Sequence, residues 1–166
     1  LLALQQWQSV RWRMALGRLP AVVLSVGLKR LLYGGLALLL AQIALGAWVS
    51  TNYAVVACMS WPLCQGVWLP PADYAQGFSL WRELHKSASG MGISLQALTA
   101  IHLVHRWFAV LVLAALAALA WRLRTQARRS SAWLAGLLAL QLATGLANVV
   151  LGWPLAAALL HTVGAA

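Results

Sequence analysis

Three long apolar runs, separated by short polar stretches, dominate the pattern of the chain. Residues 31–50 are uncharged throughout, and residues 99–121 and 131–152 form two further runs of similar length. About 20 apolar residues in a helix span a hydrocarbon core of roughly 30 Å. The pattern therefore predicts three membrane-spanning helices. Pro154 then opens a fourth apolar segment, 154–166, since proline is tolerated in the first helical turn.

The composition supports lipid as the solvent. Of the 166 residues, 63% are hydrophobic and only 8% are charged, whereas a soluble domain carries about 25% charged residues. We expect an all-α membrane protein: a transmembrane four-helix bundle with three complete spans and the start of a fourth. Residues 1–30 are predicted to be a cytoplasmic linker after a preceding helix, and residues 31–166 a half-bundle with an outer loop at 51–98. No signal peptide is visible, and both ends read as cut.

A net charge of +10 can indicate a nucleic-acid partner, but here most of the basic residues lie in two clusters beside the apolar runs. Nine basic residues flank the apolar runs, whereas the loop 51–98 balances Arg82 and Lys86 against Asp73 and Glu83. Basic residues beside apolar helices mark cytoplasmic segments. We therefore expect membrane lipid and no nucleic acid as partner, with the loop 51–98 extracytoplasmic. The nine residues are Arg11, Arg13, Arg18, Lys29, Arg30, Arg122, Arg124, Arg128 and Arg129.

The loop 51–98 is far longer than an ordinary connection, which indicates a functional segment or one folded on itself. Phe78, Trp81 and Leu84 recur at helical spacing, with charged residues on the other faces. A short helix lying on the membrane and a solvated loop are both consistent with this pattern. No internal repeat is evident in the chain.

Two histidines fall inside the predicted helices at matching depth. If the second helix enters near Thr99 and the fourth near Pro154, His105 lies about 9 Å and His161 about 10 Å along their axes. Ionisable groups at membrane depth usually mark function. Facing histidines of a bundle can hold a haem iron from both sides. The alternative is that each is a core residue hydrogen-bonded to a neighbouring helix.

His102 and Arg106 flank the first of these histidines. His102 lies one turn nearer the outer surface on the same helix face, where it would be a supporting group, a proton carrier or an interfacial residue. Arg106 needs an anion, and its flanking residues offer none. A haem propionate would serve, and extension of the side chain to the interface is the alternative.

The remaining polar and small residues of the spans are interpreted as packing groups. Polar side chains inside the spans are expected to hydrogen-bond across helices, and glycines to allow close helix approach. The polar set is Gln42, Gln141, Thr144 and Asn148, and the glycines are Gly46, Gly136 and Gly145.

Cys58 and Cys64 enclose a small loop, C-M-S-W-P-L-C. Because the loop is expected on the oxidising side, a disulfide is consistent with its position. The pair is interpreted either as a structural staple or as a redox pair that relays electrons. The spacing is neither C-x-x-C nor a common zinc pattern.

Four stretches in order resemble the haem A synthase family: ALGAWVSTNYA, CMSWPLCQG, AIHLVHRW and GLANVVLGWPLAAALLH. That family has eight spanning helices in two similar halves, and the motifs resemble the C-terminal half, which carries His-x-x-His-Arg. The resemblance implies that His105 and His161 are the axial ligands of haem b and that Cys58 and Cys64 form a disulfide. It implies oxidation of the C8 methyl of haem O to a formyl group, giving haem A for terminal oxidases.

Two departures from the family pattern stand out. Trp107 and Phe108 follow His-Arg where the family commonly has Leu-Gly, which would alter packing around the haem. The N-terminal half, where the substrate haem O is expected to react, is absent, so this fragment alone should not turn over. The sequence does not identify the electron donor, and the partners considered are a second copy in a homo-oligomer and haem O synthase. In the cell, the expected location is the inner membrane.

Two other functions remain open at the level of sequence. One is a non-enzymatic di-histidine b-type cytochrome that passes electrons between a quinone and a partner. The other is a thiol–disulfide membrane oxidoreductase that uses Cys58 and Cys64.

Overall fold

A computed structural model describes residues 25–81 and 92–165, and their regular elements are helical. Three of the helices in these ranges are long and apolar enough to cross a membrane, and a fourth apolar helix is shorter, as the sequence predicts. The predicted all-α membrane fold is thus confirmed. In chain order the elements are α1 (Val26–Thr51), a 3-10 helix (Ala54–Ala57), α2 (Tyr74–Gly77), α3 (Leu95–Leu123), α4 (Arg128–Val150) and α5 (Leu155–Ala165).

Two spans begin earlier than the apolar runs because serines cap them. The Ser25 side chain accepts a hydrogen bond from Leu28 N, and the Ser94 side chain accepts one from Ala97 N. His105 is therefore ten residues, about 15 Å, from the start of α3, whereas His161 is six residues, about 9 Å, from the start of α5. The equal depths expected from the sequence are therefore wrong when they are counted from the helix starts, because α3 begins about one turn earlier than predicted.

α1 and α3 run antiparallel and form the main helix pair. Leu28, at the start of α1, packs with Leu116 and Leu119 near the end of α3. Partly buried leucines of α4 join the same cluster, so α3 lies between α1 and α4. We call this the basic end of the bundle, because it carries Lys29, Arg30, Arg122, Arg124, Arg128 and Arg129. The opposite end, where α1 ends and α3 begins, is the loop end.

A tight turn at the loop end reverses the chain between α4 and α5. Gly152 adopts a left-handed conformation with φ of 70°, which glycine tolerates without steric cost. Trp153 N donates to Asn148 O at 2.8 Å, the six-residue closure that ends many helices. Pro154 follows and precedes the first turn of α5. The turn makes α4 and α5 antiparallel, and it makes α5 parallel to α3.

The connection between α1 and α3 is folded against the loop end of α3. Trp48 Nε1 donates to Gly77 O at 2.9 Å, and Gln65 Nε2 donates to Thr99 Oγ1 at 2.8 Å. A Cβ at Gly77 would lie 2.8 Å from Ala97 O, so this glycine allows the loop to approach the α3 backbone. The described part of the loop is therefore a packed cap, as its length suggested.

The predicted surface helix within this loop lies only partly in the described residues. The short helix α2 ends before Phe78, and Trp81 is almost fully exposed without helical structure. Leu84 and the charged Arg82, Glu83 and Lys86 lie outside the described residues. Residues 1–24, with Arg11, Arg13 and Arg18, lie outside them as well.

Candidate functional site

His105 of α3 and His161 of α5 lie on parallel helices that both pack against α4, although the residues are 56 positions apart in the chain. Each side chain is partly buried. Among the described residues no group of three or more His, Cys, Asp or Glu side chains gathers to hold a metal ion. A haem iron, whose porphyrin supplies the other ligands, needs only such a pair.

The imidazole of His161 has one defined hydrogen-bond partner on α4. Thr144 Oγ1 lies 3.0 Å from His161 Nδ1. The same hydroxyl is 2.8 Å from Leu140 O, one turn back in its own helix. The cross-helix hydrogen bond expected for Thr144 is therefore present, and its partner is the histidine.

The imidazole of His105 lies against an amide of α1. Gln42 Nε2 is 3.1 Å from Nδ1 and 3.4 Å from Nε2 of the ring, and it donates to the His105 backbone carbonyl at 3.3 Å. Because the amide nitrogen is almost equally far from both ring nitrogens, it supports the ring without selecting one of them. Gln42 thus bridges α1 and α3 at the histidine, and its Oε1 is buried without a partner among the described residues.

A glycine faces each of the two histidines. A Cβ at Gly46 would lie 3.3 Å from His105 Cε1, and one at Gly145 would lie 3.1 Å from His161 Cε1. Both distances are tighter than an ordinary carbon contact, so any larger residue would push the imidazole away. Gly136 has no neighbour within 4 Å of its would-be Cβ. Close approach at Gly46 and Gly145 is therefore confirmed, but the group that approaches is a histidine ring.

Arg106 binds the loop rather than an acidic group. Its Nη2 donates to Cys58 O at 2.7 Å and to Ser60 O at 3.0 Å, and its Nη1 donates to Leu63 O at 3.4 Å. Its Nε donates to Nε2 of buried His102 at 3.3 Å. These bonds use four of the five guanidinium donors. One N–H remains for another acceptor, such as the haem propionate predicted from the sequence.

The bond from Arg106 also separates the roles of the two neighbouring histidines. Since Nε2 of His102 accepts from the guanidinium, its lone pair is already engaged. At His105, one turn deeper, the Gln42 amide nitrogen is almost equally far from both ring nitrogens, so this donor does not fix one of them as the guanidinium does at His102. Of the two histidines, His105 is therefore the one free to offer a lone pair to a metal.

Cys58 and Cys64 are joined by the disulfide that the resemblance implies. Both residues are almost inaccessible, at 0% and 1% exposed, and they pack against Leu103 of α3. Thiol–disulfide exchange requires a thiolate to reach one of the sulfurs. Burial of both sulfurs favours a structural staple over a redox pair.

Trp107 and Phe108, the two departures from the family motif, lie on a different surface of α3. With Tyr74, Leu103, Val104 and Leu111 they line an apolar groove of about 330 Å³. Neither His105 nor His161 lines this groove. Phe108 also packs against the leucine cluster of the basic end.

Two of the polar residues expected to bond across helices have buried atoms without partners. Gln141 Nε2 and Asn148 Oδ1 make no hydrogen bond within the described residues. Nε2 of Gln141 would contact a Cβ at Gly164, so this amide packs against α5. The cross-helix hydrogen bonds predicted for these atoms are thus absent from the described structure.

A family model described as "Cytochrome oxidase assembly protein" (COX15-CtaA) matches residues 1–166, the whole chain. The chain belongs to the COX15-CtaA family. It is 40% identical over 130 residues to a protein of Shewanella oneidensis named "Heme A synthase", covering 77% of this chain and 39% of that protein. A protein of the same name from Erythrobacter litoralis is 36% identical over 94 residues, covering 57% of this chain and 24% of its own length.

The matched segments therefore span less than half of the curated COX15-CtaA relatives. No solved structure matches the chain. Membership of the COX15-CtaA family and the three long apolar helices together make this a multi-pass membrane protein.

Replacing Arg106 with Gln should loosen the loop that carries the disulfide. A hydrogen bond to a charged group contributes about 1.5–3 kcal/mol, so losing several should expose the buried sulfurs more often and speed their reduction roughly tenfold or more. Reduction of Cys58–Cys64 by a thiol reductant, followed by mass tagging of the purified protein, measures this rate. Arg124→Gln is the control, because Arg124 lies over the Trp121 ring at the basic end. Equal rates in both variants would contradict the clamp.

Proposed function

We propose that this chain is the haem-b-binding C-terminal half of a haem A synthase, with His105 and His161 as axial ligands. The enzyme would oxidise the C8 methyl of haem O to a formyl group and so provide haem A for terminal oxidases. The observation that carries the proposal is that these two histidines lie on parallel helices, each with its ring against a glycine of an antiparallel neighbour. The names of the two relatives, each "Heme A synthase", support the reaction.

The residues around the histidine pair fit a haem. Neutral imidazole is a good axial ligand, and the glycines at 46 and 145 leave each ring the space that a Cβ would take. The nearby His102 is engaged by Arg106, which leaves the pair as the donor set. When bound, the haem would supply one-electron redox chemistry. The chain's own part is to hold the iron from both sides and to cover the loop end with a packed cap.

The substrate, haem O, would react in the part of the enzyme that this chain does not contain. Haem b held here would then carry electrons to that reaction. The proposed protein partners are a second copy, in a homo-oligomer, or haem O synthase. The buried disulfide would serve as the staple of the loop end.

Substitution of either proposed ligand tests the function directly. Alanine at His105 or His161 in the full-length protein should abolish the low-spin di-histidine absorption spectrum, because one axial bond is lost. His102→Gln should retain that spectrum, because His102 pairs with Arg106. If His102 proves necessary and His105 dispensable, the ligand assignment is wrong by one turn. Extraction of the pigments then separates the rival functions, since a non-enzymatic cytochrome would produce no haem A.

Gly145→Ala should weaken haem binding although it adds only one methyl group. The new Cβ would crowd the His161 ring, and overpacking of this kind costs about 1–3 kcal/mol. Gly136→Ala on the same helix is the matched control, because its would-be Cβ has no neighbour within 4 Å. Haem content per protein, measured after purification, should fall for the first variant and stay unchanged for the second. Equal haem contents would show that the glycine is not required.

We further propose that the protein lies in the inner membrane with the loop end extracytoplasmic, because basic residues gather at the other end. Cys58 and Cys64 are too buried to report this, so cysteines placed at exposed Leu80 and Arg129 are better probes. A membrane-impermeant maleimide should label Leu80→Cys in intact spheroplasts and Arg129→Cys only after lysis. The reverse labelling pattern would invert the orientation.

A further inference from the structure

The hydroxyl of Thr144 is surrounded by three polar atoms. It lies 2.8 Å from Leu140 O, 3.3 Å from Gln141 O and 3.0 Å from Nδ1 of His161. The residue is buried on α4, so these neighbours replace water as its hydrogen-bond partners. The side chain therefore connects the α4 backbone to the imidazole of α5.

Counting protons assigns the direction of each bond. A threonine hydroxyl has one hydrogen to donate, and a backbone carbonyl can only accept. The hydroxyl hydrogen of Thr144 is donated to Leu140 O, 2.8 Å away. Toward the His161 ring, Oγ1 can therefore only accept a hydrogen bond. The hydroxyl beside the ring thus requires a hydrogen on Nδ1.

We propose that Thr144 is a positioning residue that fixes His161 as the tautomer with hydrogen on Nδ1 and leaves the Nε2 lone pair for iron. The inference rests on the proposed haem site and adds a residue to it. Ligating histidines commonly donate their second ring N–H to a nearby acceptor, which fixes the ring and raises its basicity. Thr144 supplies that acceptor from a neighbouring helix.

The two ligand positions differ in this respect. At His105 the Gln42 amide nitrogen is nearly equidistant from both ring nitrogens, so it does not choose between the tautomers. The position of α1 that corresponds to Thr144, three residues after the glutamine, is Leu45, whose side chain has no polar atom. Orientation by a hydroxyl is therefore specific to His161.

An imidazole that donates its electron pair more strongly to the iron stabilises ferric iron relative to ferrous iron. Removing the hydroxyl should raise the haem midpoint potential, and it should weaken haem retention by roughly 10–100-fold, the usual effect of losing such a supporting bond. A side chain that only fills space would change retention without requiring a hydroxyl. The potential and the chemical nature of the replacement therefore distinguish the two roles.

The experiment compares three variants of the full-length protein: Thr144→Val, Thr144→Ser and Thr162→Val. Valine keeps the shape of threonine without the hydroxyl, and serine keeps the hydroxyl without the methyl group. Thr162 is the matched control, since it is exposed, and its hydroxyl likewise donates to a carbonyl one turn back, Ala158 O at 2.9 Å. The measurements are the redox midpoint of the low-spin haem and the rate of haem transfer to an apo-globin scavenger.

Thr144→Val should have a higher potential and faster haem loss, whereas Thr144→Ser and Thr162→Val should resemble the wild type. An unchanged potential and rate in Thr144→Val would overturn the inference. So would a serine variant as impaired as the valine variant, because the methyl group would then be the important part. Absence of low-spin haem from the wild type would instead overturn the proposed function itself.

Discussion

The guanidinium of Arg106 is the interaction on which the loop end of the bundle depends. The whole chain contains two acidic residues, so a cation within an apolar helix must find other acceptors. Carbonyls of Cys58, Ser60 and Leu63 provide them, and the disulfide holds these residues in one small ring. The loop is thereby fixed to α3 one residue beyond His105. The charge that seemed to require an anion instead organises the cap over the histidines.

This arrangement gives the disulfide a physical role without electron transfer. Its two sulfurs are buried against Leu103, while the carbonyls of the same ring face outward to the arginine. Closing the ring limits the conformations in which these carbonyls can converge, which lowers the entropy cost of the clamp. The covalent bond and the charged hydrogen bonds therefore support one another, and His102 completes the set by accepting from Nε.

Local patterns predicted the spans, which follow from the apolar runs, and they singled out His105 and His161 because ionisable groups are costly in lipid. The residues at which the helices begin were harder to predict, because the caps at Ser25 and Ser94 extend the helices beyond the apolar runs. The partners of Arg106 could not be read from the sequence at all. Every residue carries a backbone carbonyl, so only the folded path of the loop decides which three converge. Gln141 and Asn148 show a second limit of sequence-based prediction. Each has a buried polar atom without a hydrogen-bond partner among the described residues, although both were expected to bond across helices.

The same arrangement of a glutamine and a glycine occurs beside both histidines, although it is too short to be seen as a sequence repeat. In α1, Gln42 and Gly46 face His105, and in α4, Gln141 and Gly145 contact α5 at Gly164 and His161. Both helix pairs thus use a glutamine and a glycine four residues apart to receive an antiparallel partner. A four-residue spacing places both on one helix face. Two matching residues in each helix are too few to be recognised as a sequence repeat. They are nevertheless enough to give each helix the same kind of contact with its partner. Directly before the glycine stands Leu45 in one helix and Thr144 in the other, and only the second offers a hydroxyl to the histidine that it contacts.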